Sequence, residues 1–302
     1  MEQARTTKTQ RTEDEEHEGG GMQRVPEECL AMAIGLTSPA DACRAAAVSA
    51  AFRSAADSDA VWERFLPPDC DAILERAVHL VDSSSKKELF MDLSDEHVLL
   101  DDGKRSFGLQ RSTGAKCYML SVSDMGIAWG HTDLYWRELS DPDARSKVAE
   151  LVSVCWLGLS GRISSKELSP GTHYAGYLVF KLTHDAHGLS SPRQVSYVEV
   201  DGQVVAGSVR TPSFHPCNRA AASCGEAGEP HEHAEEDGVG GVRRYPRQRD
   251  DGWLELVIGD YHTGTGDDDV GADIKMELHE WEELKWKKGL IIQGTEFRPK
   301  QT

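Results

Sequence analysis

Few residues in this chain are spaced for bond-making chemistry. Cys217, Cys224, His231 and His233 form a Cys-x6-Cys-x6-His-x-His series. Zinc ligands come in tighter pairs, C-x2-4-C and H-x3-5-H, so no metal site is expected there. Asp267, Asp268 and Asp269 lack the Asp-x-Asp-x-Asp-Gly order of a calcium loop and read as a solvated turn. The span from Gly259 to Gly271 is glycine-rich, but it has no G-K-[ST] and no helical pattern after it. A phosphate loop is therefore not expected. There is no G-x-S-x-G, no H-E-x-x-H and no nucleophile with a base at a telling distance. Arg243, Arg244, Arg247 and Arg249 make a short basic cluster that reads as a solvated loop. What remains is a set of indoles. Trp129 precedes Gly130-His131-Thr132-Asp133, and Trp136 precedes Arg137 and Glu138. Those polar surroundings predict partial exposure for both. Trp156 and Trp253 sit inside strand patterns and are expected in the core. The residues point to a binding protein without catalytic groups, metal or cofactor.

The bulk properties bound the partners. The chain has 302 residues and a formal net charge of −18. Such acidity repels phosphate backbones and anionic membranes, so neither is an expected partner. Hydrophobic residues make up 39% of the chain, enough for a real core. No apolar stretch reaches the roughly 18 residues of a membrane span. The polar N-terminus lacks the apolar segment of a secretory signal. The seven cysteines include no C-x-x-C pair and read as reduced, buried thiols. Cytoplasm or nucleus is the expected location.

The elements that must position the indoles divide at about residue 114. Residues 1–24 are polar, carry three glycines at Gly19-Gly20-Gly21 and read as a disordered tail. Helical signals follow. Pro26 suits a first helical position ahead of Glu27 and Glu28, with Leu30 and Ile34 on the apolar face. Ser38-Pro39 caps a second helix, with Asp41 three residues on and Cys43, Ala47, Val48 and Phe52 at helical spacing. A third is expected over Asp59–Leu66, ended by Pro67-Pro68. A fourth is expected over Asp71–Val81, and a short fifth near Lys86–Leu93. Beyond 114, strand patterns fall at Cys117–Ser123, Leu151–Ile163, Tyr174–Thr183, Gln194–Val200, Trp253–Ile258, Asp273–His279 and Gly289–Phe297. Glycine and proline clusters separate them, which predicts an antiparallel β-sandwich. Residues 206–250 carry few large apolar side chains and read as a disordered insert.

Two known families share these patterns. Val25-Pro26-Glu27-Glu28-Cys29-Leu30, Leu36-Thr37-Ser38-Pro39-Ala40-Asp41, Val48-Ser49-Ala50-Ala51-Phe52 and Val61-Trp62 resemble an F-box in order and spacing. An F-box is a short helical unit that docks by apolar contact on an Skp-type adaptor of a cullin ubiquitin ligase. Carried over by position, the adaptor contacts are Val25, Pro26, Leu30, Ile34, Pro39, Cys43, Val48 and Phe52. Val25 stands where the family usually has leucine.

The remainder resembles the Nictaba-like lectin domain, also called the phloem protein two domain. The matching stretches are Lys116–Ser121, Ile127-Ala128-Trp129-Gly130, Tyr135-Trp136, Val148–Leu151 and Val154-Cys155-Trp156-Leu157. Further on come Tyr177–Leu182, Asp251–Glu255, Trp286–Ile292 and Arg298-Pro299-Lys300. The resemblance implies binding of N-acetylglucosamine oligomers or N-glycan cores by Trp129 and Trp136, with Asp273 and Glu280 as carboxylate acceptors. A pyranose packs its C–H face on an indole, while carboxylates bond its hydroxyls. Asp273 departs from the family's glutamate and is one methylene shorter.

The expected architecture is thus α+β. It comprises a tail at 1–24, an F-box at 25–68, a helical linker region at 69–113, and a jelly-roll-like antiparallel β-sandwich lectin domain at 114–302. The implied function is target recognition in an SCF-type ubiquitin ligase. The partners would be an Skp-type adaptor and a glycan or glycoprotein. The alternatives are a lectin without a ligase role and an F-box receptor for protein surfaces without sugar binding.

Overall fold

The computed structural model describes residues 25–191, 193–216, 232–234, 242–265 and 271–300, with backbone alone at 232–234 and 242. Six short helices lead: α1 Glu27–Ile34, α2 Pro39–Ala45, α3 Ala50–Asp57, α4 Asp59–Phe65, α5 Cys70–Leu74 and α6 Lys86–Asp95. Serine side chains start three of them. Ser38, Ser49 and Ser85 accept from the backbone N–H of Asp41, Phe52 and Glu88, satisfying donors that a helix start leaves open.

Two helices differ from expectation. The run expected to continue from Ser38 through Phe52 breaks at Ala45, because Ser49 caps a new helix, α3. The helix expected over Asp71–Val81 ends at Leu74. There the chain turns, and the Val78 N–H donates to Leu99 O at 2.9 Å. Strand-like pairing thus takes the backbone group that another helical turn would have used.

Among the described residues the β part has seventeen strands. The first six are β1 Val98–Leu100, β2 Arg105–Leu109, β3 Lys116–Ser121, β4 Gly126–Ile127, β5 Trp136–Leu139 and β6 Val148–Leu151. Next come β7 Leu157–Ser164, β8 His173–His187, β9 Val195–Val200, β10 Gln203–Val204 and β11 Thr211–Pro212. The last are β12 Glu232–Ala234, β13 Val242–Arg244, β14 Arg247–Gln248, β15 Leu254–His262, β16 Asp273–Glu280 and β17 Lys288–Pro299. The larger sheet runs β1-β2-β3-β17-β8-β15-β14, with β6 and β5 attached at β17. The smaller runs β10-β9-β16-β7-β4. Among the described residues all strand pairings are antiparallel except β11 with β13. The strand set begins at Val98, before the expected boundary, and β1 and β2 extend the sheet that contains β3.

Met276, Ile258, Val198, Leu178 and Phe297 are buried among the residues of one core. The two sheets approach so closely that a Cβ on Gly176 would lie 2.4 Å from Met276 Sδ. The same core continues into the helices, where Trp62, buried, packs on Phe90 and Phe65. Within the expected insert, residues 206–216 and 242–250 supply β11, β13 and β14. The tail, Cys217, Cys224, His231 and the Asp267–Asp269 run lie outside the described residues.

Candidate functional site

An exposed aromatic row occupies one end of the smaller sheet. Trp129, Trp156 and Trp281 are 44%, 43% and 37% exposed. Their ring centroids lie 5.9 Å apart from Trp129 to Trp156 and 6.0 Å apart from Trp156 to Trp281, both edge-to-face. Tyr135 flanks Trp129 at 5.8 Å. At the other end, the His279 ring stacks on Trp281 at 3.5 Å and an interplanar angle of 3°. Exposed indoles normally seek cover, so three in contact on a surface make this row a candidate binding face.

The chain holds these indoles by distinct means. Trp129 has φ +64, a left-handed conformation that is costly for a bulky side chain. It follows β4 in a tight turn in which the Gly130 N–H donates to Ile127 O. Trp136 fixes that turn from below: its Nε1 donates to Ala128 O at 3.0 Å, and it is 3% exposed. The pair expected to form a platform therefore divides. Trp129 presents its ring, whereas Trp136 is buried and holds Trp129 in place.

Glu280 and Lys287 secure the other two indoles. Both are buried, and the Lys287 ammonium is paired with the Glu280 carboxylate. Lys287 Nζ also donates to Cys155 O at 3.0 Å and to Lys285 O at 2.8 Å. The other Glu280 oxygen accepts from the backbone N–H of Glu282 and Glu283. One ion pair thus ties the turn bearing Trp156 to the loop bearing Trp281. Leu284, in that loop, also has a positive φ, of +52. Gly188 lets a neighbouring loop press against it, since a Cβ there would meet Trp286 O at 2.2 Å. Glu280, expected to accept bonds from a ligand, spends its carboxylate inside the protein.

Asp273 lies at the opposite end of β16 from Glu280. Strand rise puts seven steps at about 23 Å, so the structure does not bring these two carboxylates together. Asp273 is paired instead with Arg162. Beside the row, a cleft of about 380 Å³ is lined by Ser191, Arg193, Thr211, Glu282 and Glu283, together with His279 and Trp281. Burial holds the His279 imidazole below its usual pKa, opposed by Glu277.

A second surface lies on the helices. Of the expected adaptor contacts, Val25, Pro26, Cys43 and Val48 are exposed and Phe52 is half-buried. Leu30, Ile34 and Pro39 face the protein's own core. The exposed apolar residues there also include Met32 and Leu36, at 60% and 75%.

Residues 115–299 match the family model described as phloem protein 2. The chain is 36% identical over 305 residues to "F-box protein PP2-B1" of Arabidopsis thaliana, covering 92% of this chain and 90% of that protein. It is 37% identical over 289 residues to "Putative F-box protein PP2-B8" of the same plant, covering 95% and 90%. The chain belongs to the plant F-box proteins that carry a phloem protein 2 domain.

Within this phloem protein 2 domain, sequence patterns hid two of the three row indoles. Trp156 was expected in the core but is exposed. The signal was there: Leu157, Leu159 and Ile163 alternate inward along β7, which puts position 156 in the outward phase. Trp281 lies between Glu280 and Glu282-Glu283, a charged context that marks a loop. Trp253 is fully buried, as its strand pattern implies.

Proposed function

We propose that this F-box protein is the target-recognition subunit of an SCF-type cullin ubiquitin ligase, and that it recognises saccharide on its targets. The exposed apolar residues of the helical part, Val25, Met32, Leu36 and Val48, would dock on an Skp-type adaptor. The row of Trp129, Trp156 and Trp281 would bind N-acetylglucosamine oligomers or N-glycan cores. The chain would contribute binding, with ubiquitin transfer left to other subunits.

The observation that carries the saccharide reading is the contact series of three exposed indoles held by a buried ion pair. Edge-to-face packing turns neighbouring ring planes across one another, offering C–H stacking surfaces without letting the row collapse. A glycan array probed with the protein–adaptor complex tests this, with Trp129→Ala and Trp156→Ala alongside. Binding by the intact complex and its loss in both variants is the expected result. A blank array with adaptor capture intact would favour a receptor for protein surfaces. Glycan binding without adaptor capture would favour a lectin with no ligase role.

A further inference from the structure

The row does not end at Trp281. Beyond it lies the cleft, and its chemistry differs from that of the row. One wall is the stacked Trp281–His279 pair. The rest is mostly polar, with the hydroxyls of Ser191 and Thr211, the guanidinium of Arg193 and the carboxylates of Glu282 and Glu283 beside Val195. His279 is 8% exposed, and its Nδ1 has no hydrogen-bond partner. The closest carboxylate oxygen, on Glu277, is 3.8 Å away, beyond hydrogen-bond range. A buried polar atom without a partner is uncommon and calls for an explanation. The loop forming the rim is fixed, because Glu280 accepts the Glu282 and Glu283 N–H groups. The cleft is therefore pre-formed, with one flat apolar wall and several convergent donors and acceptors.

We propose that this cleft is a further saccharide subsite, lodging the terminal neutral pyranose of a chain that runs over Trp129, Trp156 and Trp281. The inference rests on the saccharide reading above. A pyranose hydroxyl both donates and accepts, which suits a lining that mixes carboxylates, hydroxyls and a guanidinium. Glu283 is paired with Lys285 at 2.7 Å, so Glu282 supplies the negative charge at the rim and disfavours an anionic sugar such as a uronic acid beside it. The bound ligand is accordingly an oligomer, and its terminal ring must be uncharged.

Calorimetry on the intact protein tests this with N-acetylglucosamine dimer and tetramer, and with a tetramer ending in a uronic acid. Two variants alter the cleft without touching the indoles: Ser191→Trp, which fills it, and Glu282→Gln with Glu283→Gln. The native protein should bind the neutral tetramer about tenfold more tightly than the dimer or the acid-ended tetramer. Ser191→Trp should remove the advantage of the neutral tetramer over the dimer while leaving dimer affinity within about twofold. The double glutamine variant should narrow the gap between neutral and acid-ended tetramers. Equal native affinity for dimer and neutral tetramer would overturn the subsite and leave the row intact. A tetramer advantage that survives Ser191→Trp would overturn it as well. Absence of binding to every oligomer would instead overturn the saccharide reading, and the subsite with it.

Discussion

At the level of single residues, Trp129 carries both a cost and a role. Its φ of +64 suits glycine better than any β-carbon-bearing residue. Comparing two truncations isolates that cost, since both lose the ring contacts with Trp156 and Tyr135. Trp129→Gly should be more stable than Trp129→Ala by about 1 kcal/mol, the reverse of the usual glycine penalty. Thermal melts would show the order; alanine above glycine would mean the turn is not strained. The buried pair makes a second case. Removing one partner strands a charge, so Glu280→Gln should cost about 3–5 kcal/mol. Replacing both, as Glu280→Leu with Lys287→Met, should cost less than Glu280→Gln alone, because no charge is left uncompensated. Denaturant midpoints decide it, and a double variant weaker than the single would show that the bonds to Cys155 and Lys285 dominate. These two residues also explain where the sequence misled. Glu280 sits in a family position for ligand contact, yet only the fold brings Lys287 back beneath it from seven residues on. Trp136 likewise has an exposed-looking context, but β5 pairs it opposite Leu151 and turns it inward.

At the level of elements, the helical surface separates core from contact. In α1, Leu30 and Ile34 are buried, and Met32 on the same helix is exposed. Just beyond that helix, Leu36 is open, as is Val48 before α3. A charge on the outer residues should be nearly neutral for folding, within about 0.5 kcal/mol. Leu36→Asp with Val48→Asp should therefore abolish capture of an Skp-type adaptor while leaving the melting temperature unchanged. Ile34→Asp should lower the melting temperature sharply, because it puts an unpaired charge in the core. Persistent capture by the folded double variant would rule these residues out as the docking face. The helix start at Ser38 was legible from sequence, since its hydroxyl, Pro39 and Asp41 act within one turn; the start at Ser49 was not, because apolar residues at helical spacing run on across it. The strands β3, β8, β9, β15, β16 and β17 fall where alternation and apolar runs placed them. β1 and β2 were not legible. Val98–Leu100 is only three residues long, and Arg105-Ser106-Phe107-Gly108-Leu109 mixes charge, serine and glycine. They are strands because β3 offers an edge to pair with, information that lies outside their own sequence.

At the scale of the whole molecule, a cluster of charges is packed on the larger sheet, on and beside β14, β15 and β17. Glu296 is paired with Arg249 and Arg298, and Glu255 with Arg247, Arg249 and Arg298. Burial opposes the charge on Glu296, but Arg298, Arg249 and His97 outweigh it and hold its pKa down to about 2. His97, just ahead of β1, belongs to the same neighbourhood. Its pKa is pushed below the ordinary imidazole value chiefly by burial, with Arg145, Arg249 and Arg298 adding to the effect and Glu296 opposing it. The consequence has a definite sign. The unfolded chain takes up a proton on His97 near pH 6.5 while the folded chain does not. Its contribution to stability is therefore complete above about pH 6.5 and is lost as the pH falls below it. Glu296 acts lower on the scale. The unfolded carboxyl protonates near pH 4.3, so its contribution persists to about that pH and fades only as the pH falls toward its folded value of about 2. Acid unfolding should thus proceed in two stages, an early loss of stability from His97 and a later one from Glu296. Replacing His97 with glutamine should flatten the stability profile between about pH 6.5 and 5 and start the lower stage at a higher pH, because His97 is one of the groups that hold Glu296 down. Denaturant midpoints measured across that range check the assignment, and an unchanged slope in His97→Gln would place the early titration on another group. Since His279 is also held low by burial, the remaining slope in that variant should flatten further with His279→Phe, a change that keeps a ring against Trp281 and so separates the proton from the stack.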